Sequence, residues 1–183
     1  MATTTRIALL ASSALFCFGM LVSSATMAGE KPISLRYAGT GWDTQAGGVY
    51  AEPVDDHPVS LTIGNAQGTF GNSTIVITAE FRDEATVDCP AGYNTKVAVV
   101  YSTAVLTFPD QSQLFGFAST GWLCGSEATR HYFGEVSGAY VGGTGRFESA
   151  TGDWVSKFEG AYLEPSLGFR SITGTVTGTV DRH

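Results

Sequence analysis

With 10 basic and 17 acidic residues in 183, the chain is acidic, which excludes binding to phosphate backbones and anionic lipid surfaces as its business. The apolar share of 43% and charged share of 15% describe a globular protein and not a disordered one. The 23 glycines are about double the usual share and argue against long helices, since each internal Gly costs roughly 1 kcal/mol against Ala.

Residues 1–28 read as a removable signal peptide. Arg6 supplies the positive start, Ile7 to Val22 is an apolar stretch too short and too Ser/Ala-rich to span a membrane comfortably, and Thr26-Met27-Ala28 offers small residues for cleavage. Ser23-Ser24-Ala25 offers a second such site. Phe16 before Cys17 does not suit lipid attachment. The expected product, residues 29–183, is a single domain placed in the periplasm or the medium, with no integral membrane span after processing. Loss of the leader removes only Arg6 among the charges, and it removes Cys17. Cys89 and Cys124 then remain, and an even pair in an exported domain reads as one disulfide.

From Glu30 onward the recurrent pattern is period-two alternation. Strands are expected over Ile33–Thr40 and over Val59–Ile63, which alternates cleanly. Thr74–Arg82 sets Ile75, Ile77, Ala79 and Phe81 against Thr74, Val76, Thr78 and Glu80. Asp55-Asp56-His57 carries oxygen and nitrogen donors in a loop before Pro58, but adjacent residues rarely converge on one ion, so no metal site is expected. Lys96–Phe108 is a β-branched run that turns at Pro109-Asp110-Gln111-Ser112 and returns as Gln113–Leu123, a hairpin that brings Cys124 back towards the loop holding Cys89.

His131–Val141 alternates, with His131, Phe133, Glu135, Ser137 and Ala139 on one face and Tyr132, Val136 and Tyr140 on the other. Next comes Gly142-Gly143-Thr144-Gly145-Arg146-Phe147-Glu148-Ser149-Ala150-Thr151-Gly152. A glycine-rich stretch that cradles phosphate opens a helix and carries a Lys-Ser/Thr pair, and this one does neither. It reads as a structural turn: a tight glycine-mediated bend, one short helical turn over Phe147 and Ala150, and Gly152 entering the next strand, with Phe147 plugging one end of the fold. Trp154–Tyr162 and Ile172–Val180 complete the set, the last with Ile172, Gly174, Val176, Gly178 and Val180 on one face and threonines on the other.

About eight strands of this length joined by short turns suit an all-β, eight-stranded antiparallel barrel of calycin-like form, which leaves no exposed edge. A two-sheet β-sandwich is the alternative. The turn motif, together with the terminal strand Ile172–Val180, resembles the allene oxide cyclase and dirigent barrel superfamily, and more closely the small exported bacterial proteins that share its barrel. Gln113-Leu-Phe-Gly116 followed by Thr120-Gly-Trp-Leu-Cys124 fits the same pattern. The resemblance implies an eight-stranded antiparallel barrel with an apolar cavity, often assembled as trimers. In plants the group includes a cyclase of an unstable fatty-acid epoxide and proteins that steer radical coupling. The shared motif lies at a turn, so the resemblance carries the fold and not the reaction.

Residues expected to line a cavity are Tyr101, His131, Glu135 and Tyr140, with Tyr132 and Tyr162 as further hydroxyl donors. His131 and Glu135 sit roughly 13 Å apart along one strand face and cannot share a proton directly. Their other reading is as exposed polar residues on the barrel exterior. Arg146 and Glu148 are expected to pair or to brace the turn. No nucleophile elbow, metalloprotease motif or Cys/His pair is present, and no cofactor is implied. Catalysis by a shaped dry cavity leaves almost no sequence signature. Three functions follow as expectations: binding of a small apolar molecule in the cavity, cofactor-independent cyclase, isomerase or dirigent-like stereochemical guidance, and a structural role in a surface assembly. A homo-oligomer is compatible with all three.

Overall fold

The computed structural model describes residues 29–44, 59–82 and 88–182. The signal-peptide reading of residues 1–28 and the Asp55-Asp56-His57 cluster lie outside the described residues.

Eight strands follow one another in chain order: β1 (Lys31–Thr44), β2 (Val59–Gly68), β3 (Gly71–Arg82), β4 (Thr95–Thr107), β5 (Gln113–Gly125), β6 (His131–Thr144), β7 (Thr151–Glu164) and β8 (Phe169–Val180). Each pairs antiparallel with its neighbour, and β1 also pairs with β8, with Leu35 opposite Val176. The sheet therefore closes into a barrel, and the sandwich alternative does not apply. Closure removes every sheet edge, so no row of backbone donors is left for another chain to pair with.

Alternation decides which side chains enter the barrel. Ile33, Leu35 and Tyr37 of β1, Ile75 and Ala79 of β3, Tyr132, Val136 and Tyr140 of β6, and Ile172, Val176 and Val180 of β8 are all buried. Inward glycines make room for large rings on the neighbouring strand. A Cβ on Gly174 would lie 2.5 Å from the Tyr37 ring, and one on Gly138 would lie 2.6 Å from the Trp154 indole. β2 runs against simple expectation, turning Ser60 and Thr62 into the barrel while Ile63 is 48% exposed outside.

One end of the barrel is sealed by the turn motif. Gly142, Gly145 and Gly152 all take positive φ, at 107°, 58° and 134°, and a single 3-10 turn spans Gly145–Phe147. That turn drives Phe147 into the barrel mouth, where it is fully buried with Ala150 and packs edge-on against Phe70 at 5.3 Å and, tilted, against Phe108 at 5.0 Å. Arg146 covers the plug, its guanidinium 4.6 Å from the Phe108 ring centroid and 3.4 Å from the Asp110 carboxylate. It also donates to the Phe70 carbonyl at 3.3 Å. Arg146 braces the turn through Asp110, not through Glu148.

At the opposite end, Lys96 of β4 pairs with Cys124 of β5, and the chain ahead of β4 folds over so that Cys89 bonds to Cys124, with Cα atoms 5.8 Å apart.

Candidate functional site in the barrel interior

Between the Phe147 plug and the disulfide end, the packed side chains leave an interior cavity of about 80 Å3. All eight strands contribute to its wall. Its size is about half the ~150 Å3 of an engineered hydrocarbon-lined cavity that admits benzene, and far below the ~300 Å3 typical of pockets for drug-sized ligands. The wall is mainly aliphatic and aromatic, with Leu35, Ile75, Val99, Leu106, Val136 and Val176 among its members.

Polar groups stand in three tiers. At the disulfide end, Arg170 of β8 is almost wholly buried and forms an ion pair with Asp43 of β1, while its second terminal nitrogen donates to Ser60 of β2. The Tyr162 hydroxyl donates to the other Asp43 oxygen at 3.4 Å. The Arg170 guanidinium also lies 5.9 Å from the Tyr132 ring centroid, and the Tyr132 hydroxyl donates to the Ser171 carbonyl at 2.7 Å. Midway, the hydroxyls of Tyr37 and Ser156 are hydrogen-bonded at 3.1 Å. Nearer the plugged end, the Tyr140 hydroxyl and the Trp154 indole nitrogen are buried without a hydrogen-bond partner.

Burial sets the chemistry of these phenols. Desolvation pushes Tyr37 up to about 12, partly opposed by the hydrogen bond from Ser156. Burial likewise raises Tyr132, Tyr140 and Tyr162, for Tyr132 against the lowering influence of the Arg170 charge. All four are therefore neutral near pH 7 and able to donate a hydrogen bond, and none is a phenolate base. The Arg170–Asp43 pair brings no net charge into the interior. It offers a fixed dipole.

Of the residues expected to line a cavity, Tyr140 and Tyr132 do so. Tyr101, His131 and Glu135 do not. His131 is exposed, and Glu135 points outward to an ion pair with Lys157 at 3.6 Å. Both share the outer face of β6, which the alternation assigns to the side opposite Tyr132 and Tyr140, and hydration holds charged groups there. Tyr101 is turned out by a register shift in the β3–β4 ladder, where Glu80 opposes Tyr101 but Phe81 opposes Val99. The extra residue reverses the alternation of β4, so Tyr101 packs outside against Phe117 at 5.2 Å. Gly142, Gly143, Thr144, Gly145, Arg146, Phe147, Ala150, Thr151 and Gly152 form the structural turn described above.

Sequence reasoning missed Arg170, Asp43, Ser60 and Trp154 as interior polar groups. Parity carried a signal for Arg170, which stands in phase with Ile172, Gly174 and Val176. Among the described residues, no group of three His, Cys, Asp or Glu side chains is placed to hold a metal ion.

Outside, threonines and charged side chains are frequent on β6 to β8, where Val141, Leu163 and Phe169 are also exposed near the strand ends, whereas Ile63, Val76, Val105 and Phe115 oppose one another in a row across β2 to β5. Leu61, Tyr101 and Phe117 extend that apolar row.

No family model matches the chain, and no curated protein matches it. Among solved structures, the chain is similar to that of a pterocarpan synthase dirigent protein, at 14% identity with a TM-score of 0.41, covering 83% of this chain and 86% of that one.

Proposed function

We propose that this protein is an exported barrel that holds one small, largely apolar molecule in its interior. The observation that carries the reading is the cavity of about 80 Å3, walled by all eight strands and fully backed by a packed plug. A solid interior would have argued for a purely structural role. The Cys89–Cys124 disulfide supports an oxidising compartment. The volume favours a compact ligand of a few heavy atoms over a long acyl chain, which would require the walls to repack.

A second reading, a cofactor-independent cyclase, isomerase or stereochemical guide, is favoured by Arg170, which lines one end of that cavity with Asp43 and the Tyr162 hydroxyl bonded behind it. Fixed dipoles in a dry site stabilise charge as it develops. The apolar row outside β2 to β5 favours a further feature, assembly with other copies of the chain. A lipid-facing barrel would be apolar all round, and this one is not.

Native mass spectrometry on the full chain purified from its own host tests the proposal. A defined extra mass for each subunit is the expected result. Subunits of bare polypeptide mass, from protein that shows no thermal shift with small hydrocarbons or ketones, would overturn it. The same spectrum reads leader removal, the two-hydrogen deficit of the disulfide and the number of copies assembled.

A further inference from the structure

The plugged half of the cavity holds two polar atoms without partners. Tyr140 and Trp154 are only 4% and 6% exposed, both line the cavity, and neither the phenol oxygen nor the indole nitrogen finds an acceptor among the described residues. They are neighbours in the β6–β7 ladder, where Tyr140 opposes Gly152 and Trp154 opposes Gly138, and their ring centroids lie 6.4 Å apart. A buried donor left unpaired forfeits its hydration without return, so native proteins seldom keep one, let alone two side by side. The indole N–H can only donate, and the Tyr140 hydroxyl, held neutral, donates as well. Glycine completes the setting. Gly116 stands against the indole nitrogen, where a Cβ would come within 3.3 Å of it.

Several of the other interior polar groups are already matched. Tyr37 is bonded to Ser156, Tyr132 to the Ser171 carbonyl, and Arg170 to Asp43 and Ser60. The Thr62 and Ser102 hydroxyls also line the cavity, but a hydroxyl can donate or accept, so the demand for an acceptor is sharpest at the plugged end, where the indole N–H can only donate. A carboxylate is disfavoured there, because the one interior cation among the described residues is neutralised at the far end by Asp43.

We propose that Tyr140 and Trp154 form an oxygen-acceptor subsite, so that the ligand is a small uncharged molecule with an apolar body and a carbonyl or ether oxygen. Its oxygen sits at the plugged end and its body lies against the aliphatic wall. This rests on the reading of the interior as a ligand cavity and adds the chemical class that the cavity selects.

The test compares acetone with 2-methylpropene, two four-heavy-atom molecules of the same shape that differ by an acceptor oxygen, on the full chain. Binding is followed by the 15N-labelled indole N–H resonance of Trp154, identified by its loss in Trp154→Phe, and by thermal melting. The expected result is preferential binding of the ketone by roughly tenfold, with a downfield shift of the Trp154 N–H that the hydrocarbon does not produce. Tyr140→Phe should weaken the ketone by roughly three- to tenfold, leave the hydrocarbon unchanged, and melt no lower than the parent without ligand. Equal binding of the two molecules would overturn the acceptor subsite while leaving the ligand cavity standing. Failure of both to bind at the solubility limit of the hydrocarbon would overturn both. A Tyr140→Phe protein melting several degrees below the parent would also overturn the subsite, because its hydroxyl would then have a partner in the unliganded fold.

Discussion

The buried ion pair gives the sharpest test of how the interior is held together. Arg170 has 5% of its side chain exposed, against 22% for Asp43, and its guanidinium is shared between Asp43 and Ser60. Replacing Asp43 by Asn keeps the shape and an acceptor for the Tyr162 hydroxyl but strips the arginine of its counter-charge. Breaking a buried pair from one side typically costs ~3–5 kcal/mol, because the abandoned charge stays in a low-dielectric site. The partial exposure of Asp43 and the surviving Ser60 contact place this case at the low end, about 3 kcal/mol. With a urea slope of about 2 kcal/mol per molar, the unfolding midpoint should fall by roughly 1.5 M.

The reverse change is milder. Arg170→Met leaves behind the more exposed partner, which water can reach, and should cost about 1–2 kcal/mol. The double variant Asp43→Asn with Arg170→Met removes both charges and should recover to within about 1 kcal/mol of the parent, giving a strongly non-additive cycle. Equilibrium urea unfolding of the four proteins measures this directly. If Asp43→Asn costs less than about 1 kcal/mol, or if the two single changes simply add, then Arg170 does not depend on Asp43 and the account of this end of the barrel is wrong.

Three further outcomes are expected. Gly145→Val should destabilise by more than ~2 kcal/mol, because the position has φ 58° and a Cβ would sit 3.0 Å from the Ser112 Cβ; a melting point within a degree of the parent would refute the reading of the turn. Replacing Cys89 and Cys124 together by Ser should lower stability by roughly 3–4 kcal/mol for a sequence separation of 35, and a parent that titrates with two free thiols would have no bridge to lose. Burial pushes Tyr37 up to about 12 from the ordinary 10.0, so its stabilising effect is intact below that lower value. It fades as pH rises through the folded value, because the unfolded chain loses the proton first. The urea midpoint of the parent should therefore drop more steeply with alkali than that of Tyr37→Phe, the gap changing by on the order of 2–3 kcal/mol, and parallel profiles would contradict it.

Much of the barrel is legible in the sequence because strand parity and turn chemistry are local. The alternation of Thr74–Arg82, the turn at Pro109–Ser112, the glycine bends around Phe147 and the threonine face of the last strand each follow from a few neighbouring residues. What escapes is set by the partner strand. The shift between Glu80 and Phe81 reverses β4 beside Val99-Val100, two valines that suit either face, and Tyr101 is carried outside. In Val59–Ile63 the hydroxyls face inward and the aliphatics outward, an arrangement that makes sense only once Ser60 is seen to accept from Arg170 and Ile63 to join Val76 in an outer apolar row. Arg170 was hidden by the habit of assigning charge to the surface, although its phase in β8 is an inward one.

The interior also limits which functions are physically reasonable. Its polar groups are distributed unequally. The charges at the disulfide end cancel each other, the middle pair satisfies itself, and the two donors at the plugged end are left open. Such an arrangement neither attracts an ion nor generates a nucleophile, since each phenol is held neutral by burial. What it is suited to do, on the reading proposed above, is orient a guest. A compact neutral molecule seated with its oxygen on Tyr140 and Trp154 would have its far side directed at the Arg170–Asp43 dipole. The geometry that selects a ligand is thus the same geometry that would guide a rearrangement of it. Binding and catalysis then differ here in the reactivity of the guest and not in the residues that receive it.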